Sequence, residues 1–219
     1  MSLARVKALK KFVEEIFRKE QEDRNPNRPR KGDVIRVEPI RKPEDIQAIK
    51  NLLRDEPRNL AVFVMGINSA LRGSDLLRIR YCDVEGLKPG DTFIMREKKT
   101  KKKRVVSVNQ ASYEAIQSYL KVRPETSPDA PLFLSRTGQE RALTVSSLNA
   151  LVKKWGKEVG IRDNLGSHTL RKTWGLHQRL NGISIATLMQ IYNHSTQKQT
   201  LSYLGISEEE VLEAFQNVI

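Results

Sequence analysis

The run LAVFVMGI, Leu60 to Ile67, is the longest unbroken apolar stretch of the 219-residue chain and the feature that most limits its fold. A bilayer span needs about 20 apolar residues, so this run is far too short for one. It lies inside a helical pattern over 58–70 that is apolar on nearly every side. Such a helix has to be covered all round by other elements. The expectation is therefore a central buried helix wrapped by further helices.

The sequence offers the wrapping elements. A helical pattern starts at Pro43 and runs through Ile46, Ile49, Leu52 and Leu53, and Gly73 or Ser74 opens a short helix. Helical spacing returns at 110–122, and at 144–159 with Thr144 as cap and Gly160 as stop. It continues near 168–181, 184–191 and 196–203, with Ser195 as a cap for the last. Between 82 and 108 the period changes. Thr92–Arg96 and Arg104–Val108 read as strands of a hairpin closed by a lysine run, although no Asn-Gly or Asp-Gly marks its tip. The expected fold class is mainly α with a small antiparallel β-sheet (α+β).

Towards the ends, Leu3, Val6, Leu9, Phe12, Val13, Ile16 and Phe17 form one helical face, and 21–33 reads as a linker. Ser207 and Glu210 form a capping-box pattern for a final helix, whose stripe Val211, Leu212, Phe215, Val218 and Ile219 needs a cover. That cover is expected in its own domain or in a neighbouring protomer. The expected organisation is 1–33 as N-terminal helix and linker, and 34–219 as one domain.

Composition narrows the function. The net charge of +13 sets up a field that attracts polyanions, nucleic acid first and an anionic membrane surface second. The charged start MSLARVKALKK has no apolar core of a secretory signal, and the single cysteine, Cys82, cannot form an internal disulfide; both fit a cytoplasmic protein. The histidines are His168, His177 and His194, without Cys-x-x-Cys or His-Glu-x-x-His spacing. No Walker glycine loop and no Gly-x-Ser-x-Gly elbow appears. Metal, nucleotide and cofactor chemistry are therefore not expected.

What remains is a set of cations, histidines and tyrosines. His168 and Arg171, three apart, share a helix face. Tyr203 lies about two turns beyond Ser195. Arg72 follows the apolar helix, and Asp75 sits near the next helix start. Taken singly, each is ordinary: a solvated pair, a core aromatic, a surface arginine, a helix-start carboxylate.

Taken together they resemble the tyrosine recombinases. Arg72 in ALRGSDLL is similar to the first arginine of that family, in a motif reading roughly Gly-Leu-Arg-x-x-Glu-Leu. His168-Thr-Leu-Arg171 resembles the family's His-x-x-Arg. Asn193-His194-Ser195 resembles its Gly-His-Ser box, Tyr203 sits where its nucleophile sits, and Lys99-Thr100 resembles its hairpin lysine. The resemblance covers about 43–206. Asn193 stands for a glycine and Asp75 for a glutamate, and the larger N-terminal DNA-clamping domain usual in the family has only a helix and linker in its place here.

The resemblance implies a catalytic domain at 34–219 that breaks and rejoins double-stranded DNA. Tyr203 would attack a phosphodiester, leaving a 3′-phosphotyrosine and a free 5′-hydroxyl. Arg72 and Arg171 would stabilise the charge that builds on the non-bridging oxygens, a term of about 3–4 kcal/mol per donor when tested by removal. His168 is the candidate base, His194 a donor to the phosphate, and Lys99 the candidate acid on a mobile hairpin tip, with Lys98 and Lys101 as rivals. Lys98, Lys101, Lys102, Lys103 and Arg104 form a strip expected to hold DNA phosphates. Tyr192 is the rival nucleophile, and His177 is read as structural. The covalent intermediate keeps the energy of the broken bond, so neither nucleotide nor metal is required. Self-association into a synaptic tetramer on DNA is implied. The competing readings are a type IB topoisomerase-like relaxing enzyme and a non-catalytic DNA-binding protein of the same fold.

Overall fold

The computed structural model describes residues 36–136 and 140–205. The readings for 1–33 and for the helix from Ser207 lie outside the described residues. The chain divides into two units between Arg36 and Val37, and the helices and strands described all belong to the second.

Eight helices are formed among the described residues, the expected central one included. They are α1 (Pro43–Leu52), α2 (Pro57–Asn68), α3 (Gly73–Leu76), α4 (Gln110–Leu120), α5 (Val145–Glu158), α6 (Ser167–Leu180), α7 (Ile185–Tyr192) and α8 (Gln197–Leu204). A hairpin of β1 (Thr92–Arg96) and β2 (Lys103–Ser107) completes the set. The class is α+β as expected, mainly α with one small antiparallel sheet. Helix α2 is the buried axis: Ala61, Val62, Phe63, Val64 and Met65 are all at most 4% exposed. It packs on α4 and α6, and Phe63 meets Trp155 of α5 edge-on, ring centroids 6.0 Å apart. Each such side chain contributes about 1.5–3 kcal/mol by leaving water. Among the described residues no helix is long and apolar enough to cross a membrane.

One close approach and one small core set the site. A Cβ on Gly66 of α2 would lie 2.5 Å from Leu170 Cδ1, so only glycine lets α6 come this near to the end of α2. That brings Arg171 beside the loop after α2. A second, smaller core of Ala70, Leu188, Tyr192 and Leu204, with Trp174 and Tyr203 against it, joins α6, α7 and α8.

The local signals explain most boundaries. Thr144 caps α5 by accepting from Ser147 N, and Ser184 caps α7 by accepting from Thr187 N. Such a cap is worth about 1 kcal/mol. For α8 the cap is Thr196, which accepts from Gln199 N, and not the expected Ser195, whose hydroxyl bonds to the Gln199 side chain. Strand β2 begins at Lys103, one residue before the expected start, because Arg96 pairs with Lys103 and Thr92 with Ser107. The segment Val37–Arg41 lies along α6. Ile40 N donates to Thr173 Oγ1 and Lys172 Nζ to Val37 O, at 2.9 and 2.7 Å. His177, read as structural, has Nε2 at 2.9 Å from Ile40 O. Arg41 Nη2 then donates to Gly205 O at 2.6 Å, at the end of α8.

Candidate active site

Arg171 stands at the centre. It is 2% exposed, and its guanidinium donates through Nη1 to Ala70 O at 2.5 Å and through Nη2 to Tyr192 O at 3.3 Å. It also lies over the Tyr192 ring, 4.6 Å from the centroid. A buried charge is tolerated only when its donors are engaged, and here two loop carbonyls and a ring face do this. Ala70 has φ of +53°, a left-handed conformation that costs a residue with a Cβ about 1–2 kcal/mol. Ala70 occupies the position of the glycine in the motif Gly-Leu-Arg.

Tyr192, the rival nucleophile on sequence, is placed as a support for Arg171. Its ring is fully buried, and its hydroxyl donates to Arg171 O at 2.8 Å. Burial holds the phenol far above its ordinary pKa. A Cβ on Gly175 would fall 1.9 Å from Tyr192 Oη, so the tyrosine reaches α6 only because that residue is glycine. After Tyr192 the helix ends at Asn193, φ +56°, and His194 N returns to Met189 O at 3.0 Å. This left-handed ending turns the chain back, which lets the His194 ring stack on Tyr192 with centroids 5.2 Å apart.

Tyr203 completes an aromatic cage. Its ring lies 5.1 Å from that of Tyr192 and 5.2 Å from that of His194. Its hydroxyl oxygen is buried, and meets hydrogen-bond geometry with no described group, Arg171 included. Burial raises the phenol's pKa, while the nearby charges of Arg171 and Arg72 pull it down without overcoming that rise. His194 has Nδ1 at 3.1 Å from Thr200 Oγ1, and Nε2 makes no hydrogen bond to a described residue. Burial, then Arg171 and Arg72, lower its pKa below 6.5. His168 is exposed at the rim. The protein crowded around it, followed by the charges of Arg171, Arg72, Lys172 and Lys99, also lowers its pKa. Arg72, Arg171, His168, His194 and Tyr203 thus share one electrostatic environment, although Arg72 and Tyr203 stand far apart in the chain.

Arg72 stands at the N-cap position of α3 and is held by a residue that the sequence motifs do not include. Its Nη1 donates to Glu97 Oε2 at 2.8 Å, and lies 3.9 Å from the buried Asp75. Glu97 also accepts from Thr100 Oγ1 at 2.6 Å. Burial alone would raise its carboxyl, but the Thr100 and Arg72 hydrogen bonds and the charges of Arg72 and Arg104 hold it below its usual value. The signal for Glu97 was strand parity. Phe93 and Met95 of β1 and Glu97, the residue after it, alternate inward. The same parity turns Arg104 inward beside Val106 and Val108. Arg104, grouped on sequence with the phosphate-binding strip, is instead spent on Ile191 O at 2.6 Å and on Ala70 O and Glu97 at 3.4 and 3.5 Å. Lys102 Nζ reaches Asn193 Oδ1 at 2.8 Å. Lys98, Lys99, Lys101 and Lys103 are exposed, and Lys98 N is bonded to Asp75 Oδ1 at 2.7 Å, so the turn is anchored at its base. Among the described residues no group of three or more His, Cys, Asp or Glu side chains is placed to hold a metal ion.

Residues 41–210 match the phage integrase family. The probable integrase/recombinase YoeC of Bacillus subtilis is 34% identical over 183 residues, covering 82% of this chain and 96% of YoeC. The tyrosine recombinase XerC of Thermodesulfovibrio yellowstonii is 27% identical over 165 residues, 72% of this chain and 53% of XerC. The chain belongs to the phage integrase family, the tyrosine recombinases. In fold it is similar to the crystal structure of XerA recombinase, with a TM-score of 0.66 at 20% identity, covering 86% of this chain and 65% of that one. It is similar too to the XerH site-specific recombinase bound to palindromic difH substrate in a post-cleavage complex, with a TM-score of 0.65 at 17% identity and coverages of 86% and 55%. The chain spans nearly the whole of YoeC but about half of the Xer relatives.

Proposed function

We propose that this chain is a site-specific DNA recombinase that cuts and rejoins one strand at a time through Tyr203. The observation that carries the reading is the Tyr203 hydroxyl held beside Arg171 and within the field of Arg72. In the proposed step the Tyr203 oxygen attacks phosphorus, the P–O5′ bond breaks, and the phosphate stays on tyrosine. The phenol proton passes to His168, whose lowered pKa keeps it neutral and able to accept. Lys99 gives a proton to the leaving O5′. Arg72, Arg171 and His194 donate to the non-bridging oxygens. Rejoining reverses each transfer.

Lys98, Lys101 and Lys103 carry charge outward toward DNA phosphates, with Lys102 divided between DNA and Asn193. Because the Tyr203 oxygen and Arg171 are both buried, DNA engagement has to displace α8. Recombination, as opposed to cleavage alone, needs four active sites on two duplexes, and hence a synaptic tetramer. A reducing cytoplasm, where the DNA lies and Cys82 stays free, is the compartment this reading implies.

The test uses lightly nicked genomic DNA of the source organism. Incubation followed by denaturing capture should recover a covalent protein–DNA adduct, and sequencing of the captured ends should converge on one site. Tyr203→Phe should abolish the adduct while leaving DNA binding in place. An adduct that survives in that variant would overturn the assignment.

A further inference from the structure

We infer that Glu97 is a positioning residue that ties the hairpin lysine to Arg72, and that Arg104 fastens this pair to the His194 segment. The inference rests on the roles proposed for Arg72 and Lys99. Glu97 is 4% exposed, and its two oxygens are divided: Oε2 takes Arg72 and Thr100, Oε1 faces Arg104. Arg104 in turn holds the carbonyls of Ala70 and Ile191, next in sequence to Leu71-Arg72 and to Tyr192-Asn193-His194. An Arg–Glu–Arg arrangement around the buried Glu97 carboxylate thus joins the Arg72 loop, the hairpin and the end of α7 at one point.

A carboxylate in a site meant for phosphate works against anion binding, so its presence requires a different benefit. Engaging Nη1 of Arg72 fixes the plane of the guanidinium and leaves its other donors for an incoming oxygen. Glu97 also stands two residues before Lys99 in the same turn, and Lys98 N is pinned to Asp75, three residues after Arg72. A shift of the hairpin therefore carries Lys99 and the orientation of Arg72 together. The proton donor and the phosphate clamp keep one mutual geometry, which two separately mobile groups would not. The rival role for Glu97 is that of a simple competitor, an anion filling the phosphate position until DNA arrives.

The two roles give opposite signs. On the duplex recovered by adduct sequencing, Glu97→Ala should cut about 100-fold more slowly, the scale of a misplacement of about 1 Å, with unchanged or tighter binding. Glu97→Gln keeps an oxygen for Arg72 and should recover a large part of the loss. Arg104→Lys should slow cutting with little change in Kd, and it carries the test with Glu97→Gln if Glu97→Ala does not fold. Cutting at or above the wild-type rate in the Glu97 variants, with tighter binding, would make Glu97 a competitor and overturn the proposal. A readout free of any DNA is the Arg72 Nε–Hε resonance in a nitrogen-15 NMR spectrum, assigned by its loss in Arg72→Lys. It should be sharp in the wild type and in Glu97→Gln and broadened in Glu97→Ala; equal sharpness in all three overturns the proposal. If the wild-type chain forms no adduct, the functional reading has failed, and this resonance still decides the role of Glu97.

Discussion

The Arg171 pocket and the hairpin tip both present positive charge, and they hold it in opposite ways. Arg171 is almost wholly buried, with two carbonyls and an aromatic face around it. Lys99 is exposed and makes no hydrogen bond or ion pair to a described residue. A group that has to meet a developing charge at fixed geometry gains from being locked in a dry site. A group that has to reach a leaving oxygen on a bound duplex gains from a free stem. The difference predicts that damage to the pocket costs activity and stability together, whereas damage to the tip costs activity alone.

The strongest test is Arg171→Lys. Lysine lacks the planar fork and cannot hold Ala70 O and Tyr192 O as Arg171 does. Cleavage should fall by about 10²–10³, the range for losing a preorganised donor, and unfolding should become easier by about 1–3 kcal/mol for the carbonyl left unpaired. A variant that loses only activity would break the comparison. Next comes Lys99→Ala. It should lower cleavage by about 10², the lower end for a general acid, with no change in melting temperature. A shift in melting would mean that the tip is held after all, and normal cleavage would pass the acid role to Lys98 or Lys101.

Acid titration sharpens the comparison from the pocket side. His168 and His194 both have pKa values lowered in the fold from 6.5, so the native state prefers them neutral. Their contribution is therefore fully present above pH 6.5 and is lost as pH falls through the lower folded values. Thermal unfolding followed from pH 7.5 downward should show stability declining below pH 6.5. Cleavage should decline over the same interval as His168 gains its proton. In His168→Gln with His194→Gln that part of the decline should vanish, and its persistence would assign it to other groups.

The smallest effect expected is Ala70→Gly. Relief of the left-handed strain at about 1–2 kcal/mol exceeds the extra chain entropy of glycine at about 0.5–1 kcal/mol. A modest rise in melting temperature is the expected outcome, and a fall would show that the Ala70 methyl packs better than its backbone suffers.

How far the sequence could be read obeys the same division. The all-round apolar helix, the helical spacings and the cap Thr144 are local signals, and the structure has them where expected. The hairpin was found with β2 one residue out, because lysines at the boundary carry no strand preference strong enough to mark it. Arg72, Arg171, His194 and Tyr203 were legible as a motif set, but Tyr192 was not legible as their support. Its partner is the backbone carbonyl of Arg171, 21 residues away, and no side-chain pattern reports a carbonyl. Glu97 and Arg104 were hidden inside a run of lysines that reads as a solvated strip. The alternation of Phe93, Met95 and Glu97 contained the information, had parity been given priority over charge.

The hydrogen bond from Arg41 to Gly205 spans 164 residues, and that from Arg171 to Ala70 spans 101. A chain is made from its N-terminus, so Ala70 and Arg41 leave the ribosome long before the groups that bind them. The early helices have nearby partners and can form while synthesis continues, but contacts of such separation wait for the last segments. The tyrosine pocket therefore closes only when almost the whole described chain is free. A nascent chain holds every arginine before it holds a placed Tyr203, and on the proposed reading a chain that stops short of α8 lacks its nucleophile.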